Sequence, residues 1–281
     1  MKPKNYRELL TDVLNEEEMK LLPRSFDIIG DIAIVEVNPK LKDKARLIGS
    51  AIINFHKNVR SVYMKASPIE GTYRVRRLVH IAGEFKRKTI HVEYGLRFLV
   101  NIERVYFSPR LSWEHRRVAL QVKDGETVID MFAGVGPFAI HIASLRKAIV
   151  YAIDINPYAY KCMKTNIRLN LKLLKGIVIP INADARYVAN YMSNLADRVI
   201  MNLPQKAHEF VPYALRFLKH KGGVLHFYTF KSNASSMEDL ISKFKDIVLS
   251  NNREVIKILC VRKVREVAPR RWQVVIDALI R

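Results

Sequence analysis

Cysteine is almost missing from this 281-residue chain. The two that occur, Cys162 and Cys260, lie far apart and sit in no CxxC or Cys/His pattern, so a disulfide framework and a zinc site are excluded and no metal is expected. That usage fits a reducing cytoplasm. Long apolar runs are missing too. No stretch approaches the roughly 18 residues that would suggest a membrane span, and Met1-Lys-Pro-Lys-Asn-Tyr6 opens with charge where a secretory signal has an apolar core. There is no internal repeat, low-complexity tract or long linker. Acidic residues are the scarce charge: 27 Asp+Glu face 48 Lys+Arg, giving a formal net charge of +21. An excess of that size points to a polyanionic partner. The length suffices for one medium and one smaller domain, each with its own core.

The first third reads as an α+β domain, residues 1–105. Leu9, Leu10, Val13 and Leu14 recur at helical spacing and predict a helix from Tyr6 to Leu22, ended by Pro23. Phe26 to Val37 reads as strand interrupted by a turn at Gly30-Asp31, and Asp43 to His56 as a second helix with Ile48, Ile52 and Ile53 on one side. Four β-like runs follow, Val59–Met64, Tyr73–Ile81, Thr89–Tyr94 and Arg97–Val105. Glycines at 71, 83 and 95 punctuate them as in antiparallel hairpins. Arg74, Arg76 and Arg77 would place positive charge on that sheet.

From residue 106 to 281 the pattern changes. Ser108-Pro109 starts a helix running to about Val122, because Ser caps and Pro suits the first helical position. Strands and helices then alternate, which implies a parallel sheet covered on both faces. Two last β runs, Val255–Val264 and Trp272–Ile280, have no helix between them and are expected to form an antiparallel pair at the sheet edge. A seven-strand sheet with one reversed strand resembles the class I, Rossmann-like methyltransferases. The fold class is therefore α/β, with a smaller N-terminal α+β domain.

The chemistry centres on Asp130-Met-Phe-Ala-Gly-Val-Gly-Pro-Phe138, which joins an apolar strand to a helix. Glycines there let the backbone and the positive helix end approach a nucleotide-like ligand. Gly134, Gly136 and Ala139 satisfy G-x-G-x-x-G/A, and Asp154 ends the next strand. This motif alone leaves NAD and other adenosine cofactors open. The Asp130 carboxylate at the strand tip would serve an ammonium and repel a pyrophosphate, which favours S-adenosylmethionine, with Asp154 on the ribose hydroxyls. Asp184 falls where an adenine pocket would lie and equally suits a helix cap. Asn202-Leu203-Pro204 follows the fourth strand and presents an amide able to read a base edge. Leu111, Glu114, His115 and Val118 share a helix face, so Glu114 would be partly desolvated and a better base.

Tyr106-Phe-Ser-Pro-Arg110, Glu114-His-Arg-Arg117, Asp130 to Phe138, Asp154-Ile-Asn-Pro157, Asn202-Leu-Pro204 with Ala207-His-Glu-Phe210, and Ala268-Pro-Arg270 occur in this order. Together they resemble the archaeal and eukaryotic tRNA (guanine-37-N1)-methyltransferases, from about Val59 to the C-terminus. The resemblance implies S-adenosylmethionine as cofactor and methylation of N1 of the guanosine 3′ to the anticodon. It places Arg74, Glu114 and Asn202 around the target base, and Tyr106, Asp130, Phe132, Gly134, Gly136, Asp154, Asp184, Asn202 and Pro204 at the cofactor. Glu114 would take the N1 proton, Arg74 would stabilise charge on O6, and Asn202 would hold the base edge. Arg74, Arg76, Arg77, Arg110, Arg116 and Arg270, with Lys86, Arg87 and Lys88, are candidates for the phosphates of a tRNA anticodon stem-loop. A monomer is expected.

Larger relatives carry a further N-terminal domain, for which this chain is expected to be too short. A related branch transfers an aminocarboxypropyl group in the wybutosine pathway, where the Asn-Leu-Pro loop differs. Some archaeal members also methylate a carbon of the tricyclic wybutosine precursor. A nicotinamide-dependent oxidoreductase with an incidental basic surface is the reading from a different class.

Overall fold

The computed structural model describes residues 3–233 and 235–281. Met1 and Lys2, on which part of the reading of the opening segment rests, lie outside the described residues. The chain divides into two compact units, Met1–Pro109 and Arg110–Arg281.

In the first unit a 3₁₀ turn, Tyr6–Leu10, precedes α1 (Glu16–Leu21). The single helix expected from Tyr6 to Leu22 is therefore two pieces. Asn15 divides them: its side chain accepts from the Glu18 amide while Glu18 accepts from the Asn15 amide, a capping box that starts a new helix. Leu9 and Val13, which suggested continuity, are exposed. The rest comprises β1 (Asp27–Ile29), β2 (Ile32–Val35), α2 (Ala45–Phe55), β3 (Ser61–Lys65), β4 (Leu78–Gly83), β5 (Lys88–Glu93) and β6 (Leu96–Asn101). β1 to β4 form one sheet in that order, with β2 and β3 parallel and α2 as the crossover between them. Ile48 and Ile52 of α2 are fully buried against Val62 and Ala33. β5 and β6 make a hairpin turned by Tyr94 and Gly95, both at positive φ, as a type I′ turn requires.

Arg74, Arg76 and Arg77 do not lie on the sheet as expected. They belong to a loop pinched by a bridge between Glu70 and Val75, in which Gly71 and Arg74 take φ of 69° and 53°. Such angles cannot continue a strand, so β4 starts only at Leu78.

The second unit holds α3 (Ser112–Gln121), β7 (Thr127–Asp130), α4 (Pro137–Leu145), β8 (Ile149–Asp154), α5 (Pro157–Asn170), β9 (Ile177–Asn182) and α6 (Ala185–Tyr191). β10 (Arg198–Met201), α7 (Ala207–Phe217), β11 (Gly223–Ser232), α8 (Met237–Leu249), β12 (Val255–Ala268) and β13 (Arg271–Ile280) complete it. The seven-stranded sheet has the order β12-β13-β11-β10-β7-β8-β9, with β13 antiparallel to both neighbours. The terminal runs do pair, but only β12 is an edge: β13 inserts between β11 and β12, as its burial demands, since Gln273 through Ala278 are all buried.

Each sheet face carries a core. Val118 and Ala119 of α3, Phe138 and Ile142 of α4 and Met163 of α5 pack with Val128, Val150, Ile200 and Tyr228. On the other face Val188 of α6, Val211 and Leu215 of α7 and Phe244 of α8 pack with Ile129, Val199, Met201 and Phe227. Strand order reverses direction at β7, which lies between β8 and β10. The crevice at the carboxyl ends of β7 and β10 is therefore where an open α/β sheet takes its ligand.

Candidate cofactor and base site

Asp130 ends β7 at that crevice. It is fully buried, and neither of its carboxylate oxygens has a hydrogen-bond partner. Burial pushes its pKa up to about 8; the Phe132 amide opposes that rise in part, and the Asp154 carboxylate adds a smaller push upward. A carboxyl group left this way costs stability in the empty protein and offers a site for a cationic partner.

The segment after Asp130 turns sharply. Gly134 (φ 56°) and Gly136 (φ 90°) both take the left-handed conformation, and Gly136 caps α4 with Pro137 at its first position. A Cβ on Gly136 would stand 2.9 Å from Met163 Cγ. Asn166 of α5 donates to the Val135 carbonyl at 2.9 Å and fixes the loop from behind. Phe132 is half-buried and meets Phe210 of α7 edge to face, with ring centroids 4.9 Å apart.

Asp154, at the tip of β8, ties this loop to the next. One oxygen accepts from the Gly134 amide at 2.7 Å and the other from the Asn156 amide at 2.8 Å. Asp184 caps α6, accepting from the Arg186 amide at 2.9 Å, and pairs with the Arg186 guanidinium at 2.6 Å. That ion pair holds Asp184 below the usual carboxylate range.

Asn202 follows β10. Its Oδ1 accepts from Gln273 Nε2 at 2.8 Å, and Gln273 in turn accepts from Arg265 Nε at 2.9 Å. The Asn202 carbonyl is thus oriented by the protein, leaving the amide NH₂ as the end available to a ligand. Pro204, two residues on, is buried.

Glu114 on α3 is buried, at 1% exposure, in agreement with the helix-face reading. Four donors surround its carboxylate: Arg117 Nε (2.9 Å) and Nη2 (2.7 Å), the Tyr228 hydroxyl (2.6 Å), and Arg262 Nη1 (3.3 Å). Arg117 also reaches Asp277 at 2.6 Å, and Asp277 meets His226 Nδ1 at 2.6 Å. Burial alone would raise the Asp277 pKa, but His226 and Arg117 outweigh it and hold the group well below the usual range. Burial keeps the His226 pKa below normal and drives that of Tyr228 far up, the latter reinforced by Glu114.

The second unit therefore gathers Asp130, Gly134, Gly136 and Asp154 into one strand-tip cluster. Arg74 and Tyr106 belong to the first unit, where the guanidinium lies 4.5 Å above the Tyr106 ring. Of the basic residues, Arg77, Arg110 and Arg270 are exposed and Arg76 and Arg116 are partly so. Lys86 pairs with Asp31 and Arg87 with Glu103. The residues that sequence reasoning missed are Tyr228, Gln273 and Asp277. None stands in a motif, and only strand pairing brings them to Glu114 and Asn202. Arg117 could have been found, as it lies one helical turn from Glu114.

Residues 89–256 match the TRM5/TYW2 methyltransferase domain, and residues 6–87 match the TYW2 N-terminal domain. A tRNA (guanine(37)-N(1))-methyltransferase Trm5b of Pyrococcus abyssi is 44% identical over 98% of this chain and 80% of its own length, and its crystal structure superposes with a TM-score of 0.87. The complex structure of aTrm5 and tRNALeu gives a TM-score of 0.83 at 36% identity, covering 99% of this chain and 79% of that one. Methanocaldococcus jannaschii TYW2 in complex with AdoMet gives 0.69 at 32% identity, covering 91% and 99%.

Proposed function

The chain belongs to the TRM5/TYW2 methyltransferase family, and on that premise we propose that it is an S-adenosylmethionine-dependent tRNA methyltransferase forming 1-methylguanosine at position 37. The observation that carries the cofactor assignment is Asp130, a buried carboxyl with both oxygens unpartnered at a glycine-rich strand tip. An ammonium group satisfies it, whereas the pyrophosphate of a nicotinamide cofactor would be repelled. Asp154 would hold the ribose hydroxyls, Gly134, Gly136 and Phe132 would line the donor, and Asp184, Pro204 and Tyr106 complete the proposed contacts.

The bound cofactor would supply an electrophilic methyl carbon on a sulfonium sulfur, the S–CH3 electron pair staying on sulfur as the neutral thioether leaves. Guanine N1 carries a proton and is a poor nucleophile until that proton leaves. Glu114 takes it, and the electron pair of the broken N–H bond becomes the N1 lone pair that attacks. Arg74 faces the negative charge that develops on O6. Asn202, its carbonyl occupied by Gln273, donates its amide NH₂ to an acceptor on the base edge. The division of labour we infer makes residues 1–105 an RNA-binding domain and residues 106–281 the methyltransferase domain, the latter adding three arginines to the RNA contacts. Arg76, Arg77, Arg110, Arg116 and Arg270 hold tRNA phosphates together with Arg74. The protein acts as a monomer. The sparse cysteine usage accords with the cytoplasm, and among the described residues no helix is long and apolar enough to cross a membrane.

TYW2-type relatives make aminocarboxypropyl transfer the rival reading. Incubation with S-adenosylmethionine and tRNA transcripts carrying G or A at position 37, followed by nucleoside mass analysis, separates the two. A gain of one methyl on N1 of G37 is expected. An aminocarboxypropyl adduct, or equal labelling of the A37 transcript, would overturn the assignment.

A further inference from the structure

The four donors on Glu114 differ in kind. The fully buried Tyr228 and Arg117, whose side chain is 11% exposed, make short bonds, whereas Arg262 reaches the carboxylate at 3.3 Å from a side chain 28% exposed, with its guanidinium 4.1 Å over the exposed Trp113 ring. The firm contacts are backed by a second layer. Arg117 grips Glu114 through Nε and Nη2 and Asp277 through Nη1, so one planar guanidinium fixes two carboxylates from opposite sides. Asp277 is fully buried and directly opposite His226 in the β11–β13 register. His226 meets Arg198, which pairs with Glu126. A chain of hydrogen-bonded polar groups thus runs from Glu126 through Arg198, His226 and Asp277 on three adjacent strands to Arg117, and it ends at Glu114 on α3. The buried Tyr228 hydroxyl has Glu114 as its hydrogen-bond acceptor.

A buried network this long is expensive to desolvate, and apolar residues of equal volume would hold the sheet to the helix at no such cost. It does accomplish something apolar packing cannot, which is to fix the orientation of one carboxylate through directional hydrogen bonds. We propose that Tyr228, Arg117 and Asp277 are positioning residues for methyl transfer, holding the Glu114 carboxylate aimed so that the lone pair now met by Arg262 is the one that receives the guanine proton. The inference rests on the assignment of Glu114 as the base. Arg262 is the donor that yields as the base enters, being the longest contact and the least buried.

The charged and titratable groups facing Glu114 are Arg117 on its own helix, Tyr228 on β11, Arg262 with Cys260 on β12, and Asp277 on β13 behind Arg117. Removing the Tyr228 hydroxyl leaves the carboxylate less stabilised. Glu114 then turns more freely, held on that oxygen by Arg117 alone.

The test is single-turnover methyl transfer to saturating G37 transcript with Tyr228→Phe, Arg117→Lys and Glu114→Gln, across pH 5 to 9. Tyr228→Phe is expected to slow transfer about ten- to a hundredfold, as loss of a hydrogen bond to a charged group implies, with tRNA and cofactor affinities unchanged. The loss should fall on the single-turnover rate constant and leave the half-saturating tRNA concentration where it is in wild type. Arg117→Lys, which keeps the charge and loses the fork, should slow transfer similarly while retaining the fold by circular dichroism. If Glu114→Gln turns over normally, the base assignment itself is wrong. If Glu114→Gln is inactive while both other variants match wild type in rate and in pH profile, the positioning role is overturned and the base assignment stands.

Discussion

Replacing Asp130 by Asn should make the empty protein more stable and the cofactor bind worse. The folded pKa of about 8 against an ordinary carboxyl value of 3.8 is set first by burial. Between those values the folded chain holds a proton that the unfolded chain has released. Stability contributed by this group is therefore complete below pH 4 and is lost progressively as pH rises toward 8. At pH 7 the difference is about three pKa units, or about 4 kcal/mol at 1.36 kcal/mol per unit. Asn has the same shape and no charge to desolvate, so its stability is free of this slope. Thermal unfolding of wild type and Asp130→Asn in the absence of cofactor should give melting temperatures whose gap widens from pH 5 to pH 8, reaching on the order of 10 °C. In the same site an ammonium ligand needs the ionised carboxylate, so binding of S-adenosylmethionine near pH 7 should expel a proton. Calorimetric titration in two buffers of different ionisation enthalpy would detect it. A melting-temperature gap that does not change with pH, together with buffer-independent binding enthalpy, would refute both the burial argument and the ammonium assignment.

Gly136→Ala should cost about 1–2 kcal/mol in thermal stability, because φ near +90° strains any L-residue. The Met163 side chain can yield to the new Cβ and contributes less, so Gly136→Ala combined with Met163→Ala should recover little; full recovery would mean that contact rather than backbone strain decides. Affinity for tRNA should fall steeply with salt, each neutralised phosphate adding about 0.7 to 0.9 to the logarithmic slope. Removing Arg77, Arg110 and Arg270 together should flatten that slope, and an unchanged slope would place the phosphates elsewhere.

Much of the second unit was legible because each of its signals is local. Alternating apolar strands and helices announce a parallel sheet. Glycines that must take positive φ announce the ligand turn. The helix face of Leu111, Glu114, His115 and Val118 announces a buried carboxylate, and all four residues are indeed buried. The misreadings were of another kind. Leu9, Leu10, Val13 and Leu14 satisfy a helical period that the Asn15 capping box interrupts, and the arginines at 74, 76 and 77 look like strand until the backbone turns at Gly71 and Arg74.

The sequence by itself determined the class of fold, the glycine turn after β7 and the carboxylates beside it, since those depend on propensity, spacing and backbone angles within a few residues. Only the tertiary structure decided what surrounds Glu114 and Asn202. Insertion of β13 between β11 and β12 sets Asp277 opposite His226 and brings it to Arg117, 160 positions away in the chain. The same strand carries Gln273 to Asn202. A register slip of one residue would turn each of those side chains to the opposite face of the sheet. Register is fixed by the packing of the whole sheet, so a contact that depends on it leaves no trace in the spacing of the residues that make it.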